Sequence, residues 1–124
     1  MITGSHIVLF SNDADADRVF LRDVLGFQSV DAGHNWLIFK LPVTEAAVHP
    51  ADGAPGAASG HAMLNCEFYL MCDDLQGMIR SLAAKKVVCG TIDEARWGKK
   101  TTIGLPSGGV IGLYQPSHPT ALAL

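Results

Sequence analysis

The spacing of apolar and polar side chains along this chain changes period in a fixed order, and the order occurs twice. Residues 2–11 alternate, with Ile7 and Leu9 on one face and His6, Val8 and Phe10 on the other, which predicts a strand. Ser11-Asn12-Asp13 then offers short side-chain oxygens to cap a helix, and Asp13, Asp15 and Asp17 favour the positive end of its dipole. Ala16, Val19, Phe20 and Val24 fall at helical spacing, with Gly26 as the stop. Residues 27–31 and 36–41 read as strands around the turn Ala32-Gly33-His34-Asn35, and 46–49 as a fourth strand.

The second pass runs strand 63–72, helix 73–86 with a buried stripe of Leu75, Met78, Ile79 and Leu82, and strands 87–91, 101–105 and 110–114. Pro106-Ser107-Gly108-Gly109 turns between the last two. Between the passes, residues 51–60 are poor in large apolar side chains and rich in Gly, Ala and Pro, as a linker is. Repetition at this period means two copies of one unit that bury their apolar faces together. The expected organisation is therefore a first βαβββ module over 1–50, the linker 51–60, a second module over 61–116 and a tail over 117–124, all one structural domain. The fold class is α+β, with paired curved mixed sheets around a central cavity.

Composition narrows the function classes. The chain has 124 residues, 48% of them hydrophobic and 17% charged, enough for a core and too apolar for disorder. Nine Lys and Arg against a net charge of −3 form no basic stripe, so no nucleic-acid partner is expected. No signal peptide and no membrane span are apparent, and the odd cysteines Cys66, Cys72 and Cys89 read as reduced thiols, which together predict a cytoplasmic protein.

Two polar side chains stand at corresponding places on the first strand of each module: His6 and Glu67. Such a pair suits a general base held in one tautomer by a carboxylate, or simply two polar groups satisfying each other. Tyr69 and Met71 share the Glu67 face as Val8 and Phe10 share the His6 face, so Phe10 and Tyr69 are expected to line a largely apolar small-molecule site. Trp97 offers a stacking surface or a cap on the core, and Arg96 an anchor for an anionic group.

Several segments, taken in order, resemble the vicinal oxygen chelate superfamily, which contains glyoxalase I, extradiol dioxygenases, fosfomycin-resistance enzymes and bleomycin-binding proteins. These are His6-Ile7-Val8-Leu9-Phe10 running into Asp13, Phe20-Leu21-Arg22-Asp23-Val24-Leu25-Gly26-Phe27, Leu70-Met71-Cys72-Asp73-Asp74-Leu75, and Gly108-Gly109 leading to Leu113-Tyr114-Gln115-Pro116. Trp97-Gly98 before a strand resembles the bleomycin-resistance branch. The resemblance implies a small-molecule ligand, a homodimer, and a divalent Fe, Mn, Ni or Zn ion held by His6 and Glu67. It also exposes a gap. Gly112 stands where such proteins commonly carry a liganding Glu, and Ala46 holds the corresponding place in the first module. Glu45 and His49 are the reserve ligands, turned inward only if a bulge re-aims them. Two functions follow as alternatives: a metal-dependent lyase or dioxygenase, in which His6 and Glu67 are catalytic, or a metal-free drug- or metabolite-binding protein.

Overall fold

The computed structural model describes residues 1–50 and 64–124, so the 51–60 linker and His61 lie outside the described residues. The elements in chain order are α1 (Ala14–Asp23), β1 (Ser29–Asp31), β2 (Leu37–Phe39), β3 (Tyr69–Met71), α2 (Leu75–Ala84), β4 (Asp93–Ala95), β5 (Gly98–Gly104) and β6 (Val110–Pro116). They divide between two compact units, 1–40 with 104–110, and 41–103 with 111–124.

In the first unit, Asp13 caps α1 by accepting from the Ala16 N–H at 3.2 Å, and Gly26, at φ +74°, ends it as its position predicts. Phe20 is buried, but the expected stripe is only partly right. Val19 is exposed, and Asp17 is buried in its stead because it has partners to satisfy it: Ser11 Oγ donates to it at 2.6 Å and the Ser107 N–H at 3.1 Å. β1 and β2 pair antiparallel, Val30 opposite Ile38, about the predicted turn. There the Asp31 carboxylate accepts from the Gly33 N–H at 2.7 Å, and His34 and Asn35 take the left-handed conformation that closes the loop.

Two predicted strands are absent. Residues 2–11 and 46–49 are described but enter no ladder. In the second half the first and last strands of the module pair with each other, and a strand exists only with a hydrogen-bonded neighbour. Alternation alone cannot supply one. Ile2, Phe10 and Val48 are accordingly almost fully exposed.

The second unit holds a four-stranded mixed sheet in the order β3-β6-β5-β4, with β3 parallel to β6 and β4 antiparallel to β5. The second helix starts at Leu75 rather than at 73, and Asp74 caps it by accepting from the Gly77 N–H at 3.0 Å. Leu75, Leu82, Val87, Ile103, Ile111 and Leu113 make the core of this unit, while Met78, assigned to the stripe, is exposed. The predicted strand 87–91 contributes only a bridge between Cys89 and Ile103. The strand that pairs with β5 lies further on, at β4, where Asp93 and Glu94 stand opposite Lys100 and Lys99. Cross-strand charge pairing, not apolar alternation, marks it. Among the described residues no helix is long and apolar enough to cross a membrane.

Candidate functional site

The parallel pairing of β3 with β6 sets Tyr69 opposite Gly112 and Met71 opposite Tyr114. Gly112 has no side chain, and the Tyr69 ring fills the space above it. A Cβ there would run into the ring edge, and even the ring's Cγ would stand 2.7 Å away. The position where a liganding carboxylate is common is thus covered by an aromatic ring.

Trp97 joins this ring through the backbone. The Ser117 N–H donates to the Trp97 carbonyl at 2.9 Å, and Ser117 Oγ to the Arg96 carbonyl at 3.1 Å, tying the β4–β5 turn to the chain leaving β6. Gly98 allows the approach, since a Cβ on it would strike the Gln115 carbonyl. The result is three mutually edge-to-face rings: Tyr69–Trp97 at 6.3 Å, Tyr69–Tyr114 at 5.5 Å and Trp97–Tyr114 at 5.3 Å between centroids. Edge-to-face contact matches the positive rim of one ring to the negative face of the next. Tyr69 and Tyr114 are half-buried and Trp97 is 38% exposed, so the cluster is fixed below and open above.

Each ring has its own polar neighbour. The Tyr69 hydroxyl donates to Glu67 Oε2 at 2.7 Å. Burial first, and then the Glu67 carboxylate, push that phenol up to about 12. Tyr114 is raised by burial and by the charge of Glu45. Its hydroxyl meets His118 Nε2 at 3.2 Å, while His118 Nδ1 faces the Pro119 carbonyl at 2.7 Å. A carbonyl only accepts, so the neutral imidazole carries its proton on Nδ1 and Tyr114 donates to Nε2. Lys100 Nζ lies 5.3 Å from the centre of the Trp97 ring. Both phenols therefore act as donors at neutral pH and neither acts as a base.

A groove of about 450 Å³ opens at the C-terminal ends of the same two strands, lined in part by Met71, Cys72, Gln115, Pro116 and Leu122. That volume suits a small organic molecule. Burial pushes the Cys72 thiol up, and its Sγ donates to the Tyr114 carbonyl at 3.6 Å, so the groove contains a thiol rather than a nucleophilic thiolate.

Of the sequence-predicted residues, Tyr69 and Trp97 meet in the cluster, Glu67 attaches to it through Tyr69, and Arg96 is exposed in the adjoining turn. Glu45 is half-buried, with its Oε1 shielded from solvent and no hydrogen-bond partner among the described residues. His49 is exposed, its Nδ1 3.4 Å from the Pro50 carbonyl. His6 and Phe10 are both exposed, in the 1–10 segment that forms no strand. Tyr114, His118 and Lys100 were not singled out from sequence. The strict alternation Gly112, Tyr114, Pro116 on β6 was the signal that could have found Tyr114.

In the second unit the residues fit a metal ion poorly. Of its three predicted ligands, Glu67 is engaged by a phenol, His49 is exposed and Glu45 is half-buried, and Gly112 offers no donor and is covered. Among the described residues no three His, Cys, Asp or Glu side chains come together as a ligand set.

No family model matches the chain, and no curated protein matches it in sequence. Solved structures do match in fold. An antibiotic binding protein from a Streptomyces species aligns at TM-score 0.61 and 23% identity, over 94% of this chain and 100% of that one. A lactoylglutathione lyase from Agrobacterium tumefaciens aligns at 0.61 and 17%, over 91% and 92%. A glyoxalase/bleomycin resistance protein from Streptomyces aligns at 0.53 and 21%, over 85% and 93%. The chain shares the α+β fold of these proteins.

Proposed function

We propose that this protein binds a flat aromatic small molecule of the antibiotic or metabolite class against Tyr69, Trp97 and Tyr114, and sequesters it rather than transforming it. The observation that carries this reading is the Tyr69 ring lying over Gly112, which turns the place of a metal ligand into part of an aromatic platform. The antibiotic-binding neighbour, aligned over 94% of this chain and all of its own with a similar fold, supports it. So do the two phenols, held in their neutral donor form within the three-ring cluster. Aromatic platforms contribute contact area and an edge-to-face geometry without any bond-making group.

The test uses a Trp36→Phe background, which leaves Trp97 as the single indole. Titrating aromatic antibiotics should quench its fluorescence saturably at one ligand per chain, and Trp97→Ala should abolish binding measured by calorimetry. Absence of saturable binding, together with stoichiometric Fe, Mn, Ni or Zn that Glu67→Gln removes, would instead establish the metal-dependent reading with His6 and Glu67 as ligands.

The protein is further proposed to act in the cytoplasm, where its three free thiols remain reduced, and as a homodimer. Ile2, Val8 and Phe10 support the second point: they present apolar surface on a segment with strand alternation and no ladder, as a chain awaiting a second copy would.

A further inference from the structure

The ring cluster carries an electrostatic asymmetry that a neutral ligand would not use. Glu67 is bonded to Tyr69 at one end, and the charge of Glu45 bears on Tyr114 at the other. Glu67 has a donor. Glu45 has none among the described residues, although its Oε1 is shielded from solvent, and a shielded carboxylate oxygen without a donor is costly. Meanwhile a cation from the chain itself already stands on the rings, among the described residues. Lys100 Nζ stands 5.3 Å over Trp97, on a half-buried side chain, while the neighbouring Lys99 turns to Glu94 at 3.9 Å. Indole is the aromatic face that attracts cations best, and it is already attracting one here.

We propose that the ligand of this site is an organic cation: a flat aromatic carrying an ammonium, amidinium or quaternary nitrogen. Its charge takes the place of Lys100 over Trp97, and its N–H, where it has one, donates to Glu45. The inference rests on the ring cluster being the binding site, and it adds the charge of the occupant. Lys100 acts as an internal competitor that satisfies the ring face until the ligand displaces it. An anionic ligand would be opposed by both carboxylates and received by Lys100 and the exposed Arg96.

The experiment compares three probes of similar shape on the full chain in the Trp36→Phe background, read by Trp97 fluorescence and by calorimetry. They are N-methylquinolinium, quinoline (neutral at neutral pH) and a naphthalene carboxylate. N-methylquinolinium should bind about ten-fold or more tighter than quinoline, the range expected of a partly desolvated cation–π contact. Its affinity should weaken as salt is raised. Glu45→Gln, which keeps the shape, should remove most of that advantage. Lys100→Gln should raise the affinity for the quinolinium while leaving quinoline nearly unchanged. Opposite signs at positions 45 and 100 are the signature, because a merely structural role would move both variants the same way for every probe. Equal binding of quinoline and N-methylquinolinium, unaffected by either substitution, would overturn the cation proposal while leaving the aromatic site in place. Failure of all three probes and of aromatic antibiotics to quench Trp97 would overturn both.

Discussion

Replacing Gly112 by alanine tests the central geometry most directly. A Cβ at this position runs into the edge of the Tyr69 ring, and that ring cannot simply swing away. Trp97 and Tyr114 bracket it at 6.3 and 5.5 Å, and Glu67 holds its hydroxyl at 2.7 Å. Overpacking of this kind costs about 1–3 kcal/mol. Displacing the ring forfeits in addition up to two edge-to-face contacts of about 0.5–1.5 kcal/mol each. Against this, alanine recovers about 0.5–1 kcal/mol that glycine loses in a strand. The expected net is a destabilisation of up to about 5 kcal/mol, seen in urea unfolding as a lower midpoint with an unchanged slope. The same substitution in a Tyr69→Ala background should be neutral or stabilising, because the obstacle is gone; the difference between the two backgrounds is the coupling. If Gly112→Ala is as stable as the parent, or costs the same with and without Tyr69, the ring does not lie where it is described.

Other expectations follow from the same structure. The chain has only two tyrosines, both in the cluster, so phenolate absorbance reports on it alone. Neither should ionise at the ordinary value near 10, Tyr69 should titrate near 12, and Glu67→Gln should lower its midpoint without restoring the free value, since burial is the leading cause. A raised phenol favours the folded state fully below the unfolded value and loses that contribution as pH rises through about 12, so alkaline unfolding should begin between these limits and move with Glu67→Gln. Asp17→Ala removes the acceptor for Ser11 and for the Ser107 N–H and should cost about 2–4 kcal/mol by denaturant unfolding, with Asp17→Asn costing less; equal stability of all three would refute the buried role. Phe10→Ser should shift sedimentation toward the monomer while leaving Trp97 fluorescence unchanged, and an unaltered dimer would rule out the 2–10 segment as the contact.

The features that were legible in the sequence are those encoded locally. Asp13 caps α1 and Gly26 ends it, Gly33 to Asn35 turn the β1–β2 hairpin, and Pro106 to Gly109 turn the next. Each depends on residues a few positions apart. The misplaced features depend on distant partners. Residues 2–11 and 46–49 alternate as strands do, but their ladders would have to come from elsewhere. β4 was hidden because Asp93 and Glu94 answer Lys100 and Lys99 in charge rather than in hydrophobicity. At the site, Tyr69 and Trp97 were visible as aromatic residues at the right places. That Gly112 is vacant for the sake of Tyr69 requires the β3–β6 register, which brings together positions 43 apart (112 − 69) in the chain. The burial of Asp17 was not legible for a related reason: Ser107, which helps satisfy it, is 90 residues away.

The acidic border formed by β4 bears on how concentrated solutions of the protein should behave. A sheet's outermost strand offers free amides and carbonyls on which another polypeptide can build, and negative charge there repels a like neighbour before hydrogen bonds can form. Asp93 and Glu94 are exposed on such a border. Their exchange for threonine should let one molecule extend the sheet of the next, giving thioflavin-positive filaments where the parent protein remains dispersed.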